Sequence, residues 1–175
     1  MSLIEQQRLL AGLYTSKKAR EDYFKEVASS EENKKELIVF AQGLLLKRLN
    51  VVKNIFSLSF AYNNSLLYDA FIEYASVNTM QGFHLKHTLD ALAFFKYLKN
   101  KKIITDYLLA LMSYEAHSAK SFLPGKQFLF LKSNYHFSRA TTENITKEDT
   151  FKGYGFYLLV RLSVNYKWFE MNKEF

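Results

Sequence analysis

The chain has no cysteine among its 175 residues. That removes disulfide frameworks, thiolate metal sites, iron–sulfur ligation and cysteine nucleophiles, and it fits a reducing compartment. Proline occurs once and glycine six times. The glycines form neither a phosphate loop nor a dinucleotide-binding pattern, and Gly153-Tyr154-Gly155 is too short to count as one. No serine sits in a nucleophile-elbow context. No apolar run approaches the roughly 18 residues that a membrane span requires. The longest, Leu37 to Leu46, is interrupted by Gln42. The opening Met1-Ser2-Leu3-Ile4-Glu5 lacks the basic-then-apolar order of a signal peptide. A cytoplasmic protein with no membrane partner is the expectation.

What is present suits a folded domain. Apolar residues make up 49% and charged residues 23%, which are ordinary globular values. The aromatic share is 17%, from 16 Phe, 12 Tyr and Trp168. Rings bury a large area each, so a modest chain still builds a substantial core. The same rings suit a surface that grips a peptide or stacks on bases. Net charge is +7, from 24 basic and 17 acidic side chains, a field that favours an acidic partner.

The pattern changes character at Pro124-Gly125. Before it the periodicity is helical. Ser2 with Glu5 forms a possible capping box for a first helix through Leu9, Leu10 and Leu13. Ser16 begins a second helix, with Ala19, Tyr23 and Val27 on one stripe. Glu31 and Glu32 open a third and longer helix, where acidic side chains suit the positive end of the helix dipole. Its core stripe reads Leu37, Phe40, Ala41, Leu44, Arg48, Val51, Val52 and Phe56. Asn63, Asn64 and Ser65 interrupt, and a fourth helix carries Leu67, Ala70, Phe71, Tyr74 and Ala75. A fifth places Leu89, Leu92, Ala93, Phe95 and Leu98 on one side and ends in the run from Lys99 to Lys102. Thr105 caps a sixth, containing Leu108, Leu109, Met112 and Tyr114. After Pro124-Gly125 the pattern is that of strands: Phe128 to Leu131, the alternation Tyr135-His136-Phe137-Ser138, Phe156 to Val164, and Tyr166 to Met171. Residues 141–152 read as a polar loop.

The fold class expected is therefore α+β, with an N-terminal bundle of five or six helices followed by a small C-terminal antiparallel β-sheet. The lobes divide into residues 1–122 and 123–175, with no internal repeat or low-complexity segment.

Catalytic candidates are few. His84, His87 and Asp90 have the spacing to share a helical face, in the manner of a two-histidine, one-carboxylate metal site, or they are simply polar residues near a helix start. Acidic pairs such as Glu21-Asp22, Glu31-Glu32 and Glu148-Asp149 fall in helix starts or loops, where solvation and the helix dipole account for them. Lys96, Lys99, Lys101 and Lys102 either contact phosphates or form a solvated helix end. Arg161 and Lys167 lie among the aromatics of the last strands. Beside Tyr157, Tyr166 or Trp168 they hold an acidic peptide or stack on the rings. An open sheet edge would accept an extended peptide as an extra strand, and the sequence does not show which edge is open.

Several segments carry a family resemblance: Leu44-Leu45-Leu46-Lys47-Arg48-Leu49 with Val52 and Phe56, Leu66 to Ala75, Asp90 to Leu98, and the ending Val164 to Met171. Their order resembles the partner (accessory) proteins of multinuclear non-heme iron-dependent oxidative enzymes that modify ribosomally made peptides, a family also labelled a DNA-binding domain. This chain has Ser57 after Phe56, where the family often has proline. The resemblance implies a non-catalytic, metal-free subunit with no cofactor of its own. The helical lobe, residues 1–122, would bind a TIM-barrel iron enzyme as a heterodimer. The β-rich lobe, residues 123–175, would capture the leader of a precursor peptide through Tyr157, Leu159, Arg161, Tyr166, Lys167 and Trp168. Nucleic acid is not the partner it implies. The alternative reading is a basic DNA-binding or regulatory module.

Overall fold

The computed structural model describes residues 21–22, 31–78, 80, 85–124, 128–162 and 165–172, and for residues 31–34, 36–37 and 159 onward it describes the backbone alone. The two helices expected before residue 30 lie outside this set, apart from Glu21 and Asp22, which are helical. Five helices follow: α1 (Glu31–Ile55), α2 (Ser57–Tyr62), α3 (Asn64–Val77), α4 (Lys86–Lys101) and α5 (Asp106–Lys120). Then come β1 (Phe128–Tyr135), a 3₁₀ turn (Glu148–Phe151), β2 (Lys152–Leu162) and β3 (Asn165–Asn172). The chain is an α+β protein whose antiparallel sheet, in the order β1-β2-β3, follows the helices.

Local chemistry sets the helix limits. The Asn63 side chain accepts from the Leu66 amide at 3.1 Å and starts α3. Thr105 does the same for Leu108 at 3.2 Å and starts α5. Each satisfies an amide that would otherwise lack an intrahelical partner. Lys102, and not the asparagine before it, closes α4 in the left-handed region, at φ 54. Between α1 and α2 the backbone turns at Phe56, a break that the sequence pattern does not reveal.

The core faces differ in part from the expected stripes. Among the described side chains of α1 the buried ones are Arg48, Leu49 and Val52, followed by Phe56 beyond its end, whereas Phe40 is exposed and Val51 is half-buried. On α4 the buried set is Asp90, Ala91, Phe94 and Leu98, while Leu89 and Ala93 face solvent. The reason is that α4 turns Asp90 inward to meet Arg48, which rotates the face by about one position. α5 is buried on two sides. Leu108, Met112 and Ala116 join the helical core with Phe56, Phe71 and Phe94. Tyr107 and Leu111 join a second cluster with Phe137, Ile145 and Phe151. One helix therefore serves both lobes.

The strands also depart from expectation. Only Tyr135 of the Tyr135–Ser138 alternation belongs to a strand; Phe137 instead turns in to the second cluster. β2 begins at Lys152, four residues before the expected Phe156. Its early start depends on Gly153, whose φ of 145 excludes most side chains and whose added Cβ would lie 3.0 Å from the His136 ring. The register slips nearby, between Ser133 and Tyr135, as expected of a bulge.

Candidate peptide-binding edge

Strand order decides which expected site residues lie on a strand with an unpaired backbone edge. β2 is hydrogen-bonded on both flanks, to β1 and to β3. Tyr157, Leu159 and Arg161 therefore lie on the central strand and have no free backbone edge to offer. Tyr157 is 0% exposed. Its hydroxyl accepts from the Phe137 amide at 2.6 Å and lies 3.3 Å from the Tyr135 carbonyl, to which it donates. Its ring packs 4.9 Å from that of Tyr114 on α5. The expected contact between Tyr157 and a peptide is thus corrected: this side chain locks the sheet to α5. Gly155 makes room for it, since an added Cβ would sit 2.7 Å from both the Tyr157 hydroxyl and the Tyr135 carbonyl.

Tyr166, Lys167 and Trp168 lie on β3, opposite Arg161, Val160 and Leu159 respectively. Among the described residues no strand pairs with the far side of β3, nor with the far side of β1. The sheet thus has two candidate edges, β1 and β3, a choice that the sequence leaves open.

The β1 edge has a feature that the sequence does not show. α5 runs antiparallel beside β1, with the His117 ring bonded to the Leu129 backbone near one end and the Tyr107 ring 5.0 Å from that of Tyr135 near the other. Between them opens a cleft of about 370 Å³, lined by Asp106, Leu109, Ala110 and Ser113 of α5 and by Leu131 to Tyr135 of β1. Five consecutive strand residues line it. Successive side chains of a strand point to opposite faces, so a cleft touching all five runs along the strand's edge. An edge amide row beside a helix offers backbone pairing and side-chain pockets together.

The other face of β1 is aromatic. Phe128 and Phe130 are 68% and 64% exposed, and Tyr154 of β2 is 53% exposed. The Phe130 and Phe156 rings lie 6.2 Å apart. Lys132 stands beside them, with its Nζ 5.9 Å from the Tyr154 ring and 6.0 Å from the Phe156 ring.

The buried charges have structural work. Arg48 is 1% exposed. Its Nε and Nη2 donate to the two Asp90 oxygens at 2.7 and 2.6 Å, and Nη1 donates to the Asn78 carbonyl at 3.0 Å. The Tyr74 hydroxyl donates to Asp90 at 2.9 Å. The guanidinium carbon also lies 5.6 Å from the Phe71 ring centre and 5.4 Å from that of Tyr74. Burial and the Asp90 charge push the Tyr74 hydroxyl well above its ordinary pKa. Asp90 is therefore committed to Arg48, which counts against its use as a metal ligand with His87; His84 lies outside the described residues. Among the described residues no group of three acidic or histidine side chains is placed to hold a metal.

Glu115 is the second buried acidic group, and it is not among the residues that the sequence pattern singles out. Its carboxylate accepts from the Leu58 amide at 2.7 Å, the Ser59 amide at 3.1 Å and the Ser59 hydroxyl at 2.5 Å. It caps α2 from 57 residues away, in place of the side-chain cap that Phe56 cannot supply. Burial pushes its pKa up to about 7 against the pull of these hydrogen bonds. It lines a groove of about 430 Å³ with Asn54, Ser57, Thr88 and Ser118. A carboxylate so fully engaged by its own amides is poorly placed to take a proton from a substrate.

The expected basic cluster is partly occupied. Lys101 pairs with Glu73 and lies 5.1 Å from the Tyr97 ring. Among the described residues no helix is long and apolar enough to cross a membrane. No protein-family profile matches the chain, and no curated protein matches it.

Proposed function

We propose that this chain is a non-catalytic accessory protein that captures an extended peptide as an added strand of its C-terminal sheet. On this reading it presents a ribosomally made precursor to a partner, a TIM-barrel multinuclear iron enzyme bound by the helical lobe in the cytoplasm. The iron belongs to the partner, and this chain supplies no cofactor and no catalytic group. Holding the peptide beside the enzyme raises its effective concentration at the metal. The observation that carries the reading is the edge of β1, which opens on the cleft against α5. Strand addition needs such an edge, and the helix beside it adds pockets for alternate side chains. This reading uses β1 in place of the expected residues of β2 and β3, while Tyr166, Lys167 and Trp168 remain on the opposite edge strand.

The test is a tagged pull-down from native cells, with mass spectrometry of co-purifying proteins and iron measured in the eluate. Recovery of a TIM-barrel protein, with iron tracking it, supports the accessory role. Recovery of the chain alone without iron rejects it as a stable complex. A companion measurement follows amide hydrogen exchange of β1 in the presence of captured peptide. Slowed exchange in β1, with β3 unchanged, is expected; the opposite pattern returns the site to β3.

A further inference from the structure

The strand-addition reading says that a peptide pairs with this sheet, but not what kind of peptide. Two surfaces flank the β1 edge, and they differ in chemistry. On the α5 side the cleft is lined by Leu109, Ala110, Ser113 and Leu131, all half-buried. The room beside Ala110 and Ser113 suits small apolar side chains. On the other side stand Phe128, Phe130 and Lys132, alternating along the strand and exposed. A strand added beside β1 must send alternate side chains to these two surfaces.

Lys132 fixes the sign of the charge. Among the described residues it forms no ion pair, and its ammonium rests only against the Tyr154 and Phe156 rings. The whole chain carries +7. Directly opposed residues on paired strands lie within reach of each other, and opposite charges there attract.

Resting on the proposed strand addition, we infer that the recognised peptide segment is acidic and alternating. Small apolar residues face the cleft at every second position. Between them stand an aromatic residue beside Phe130 and a carboxylate beside Lys132, two positions apart. The occupant is therefore an extended acidic peptide and not a nucleic acid. It is also not a second copy of this chain pairing β1 to β1, which would bring the two copies' exposed Phe128, Phe130 and Lys132 faces together without supplying a carboxylate.

The probes are labelled synthetic peptides, read by fluorescence anisotropy against the full chain. One alternates valine with phenylalanine and glutamate. A second has the same composition scrambled, a third has lysine for glutamate, and a fourth is the first peptide N-methylated at alternate amides. Expected are binding of the first peptide, loss on N-methylation, loss on scrambling, and about a fivefold preference for glutamate over lysine. Lys132→Glu should reverse that preference while leaving the thermal melt unchanged. If N-methylation leaves binding intact, strand addition itself fails. If N-methylation abolishes binding but scrambling or Lys132→Glu changes nothing, strand addition stands and the inferred pattern is wrong. If no peptide binds, both ideas are overturned, and concentration-dependent dimers in sedimentation would assign the edge to a second copy.

Discussion

Glu115→Gln should change the pH dependence of stability more than stability itself. The carboxyl is 7% exposed, and burial raises its pKa from the ordinary 4.5 to about 7. The folded state therefore holds this proton more tightly than the unfolded chain. The stability it contributes is fully present below pH 4.5 and is lost as pH rises through about 7. The interval corresponds to about 3 kcal/mol, since each unit is worth about 1.4 kcal/mol. Glutamine cannot ionise, so the variant lacks this slope. It does face the Leu58 and Ser59 amides with one donor too many, at a cost of about 1–2 kcal/mol. The native chain should thus be the more stable at pH 5, and the variant equal or superior at pH 8.

His117 complicates the raw curve. It is buried on the same helix, and desolvation lowers its pKa below 6.5. It opposes Glu115 by removing stability as pH falls below that value. The difference between variant and native chain cancels the histidine and isolates the carboxyl. Urea unfolding at half-unit steps from pH 5 to pH 8, read by tryptophan fluorescence and far-ultraviolet circular dichroism, provides the measurement. Parallel curves for the two proteins would refute the assignment of a shifted proton to Glu115.

Asp90→Asn should cost about 3–5 kcal/mol by leaving the Arg48 guanidinium buried without its counter-charge; a loss under about 1 kcal/mol in denaturant unfolding would mean that water reaches the pair. Tyr74→Phe removes only a hydroxyl from the same network and should cost about 1 kcal/mol. Tyr157→Phe strands the Phe137 amide and should cost about 1–3 kcal/mol, and saturating peptide should recover none of it, because the hydroxyl is buried and engaged by the Phe137 amide and the Tyr135 carbonyl. Gly155→Ala should destabilise by about 1–3 kcal/mol through overpacking against the Tyr135 carbonyl and the Tyr157 hydroxyl. A thermal melt unchanged by it would place that space elsewhere.

Much of the helical order is legible because its signals are local. Asn63 and Thr105 act as caps where polar oxygens precede apolar periodicity, and the structure uses both. The faces of the helices are less legible. Asp90 and Glu115 are charged, and polarity rules assign such residues to solvent. Each is buried because a distant partner satisfies it: Arg48 lies 42 residues before Asp90, and the start of α2 lies 57 residues before Glu115. No window of 11–18 residues contains those pairs. The break at Phe56 fails for the same reason, since the group that caps α2 is on another helix.

Which strand of the sheet lies in the middle is a similar non-local fact. Alternation correctly puts Tyr157, Leu159 and Arg161 at every second position of one strand, but it is silent on which strand lies in the middle. With the order β1-β2-β3 that strand is covered on both edges, and the inward position becomes a lock on α5. Among the described residues the same order leaves one edge of β1 and one edge of β3 unpaired. Its own burial pattern carries a further hint. Phe128 and Phe130 alternate with Leu129 and Leu131, yet it is the larger rings that face outward. A strand selected only to fill a core would place its largest apolar groups inside. On β2 the inward ring, Tyr157, is wholly buried, while Tyr154 is exposed and stands beside Lys132 on the same outer face as Phe130. Among the described side chains of the sheet, the exposed rings and the Lys132 ammonium beside them are the ones that a strand laid along β1 can cover.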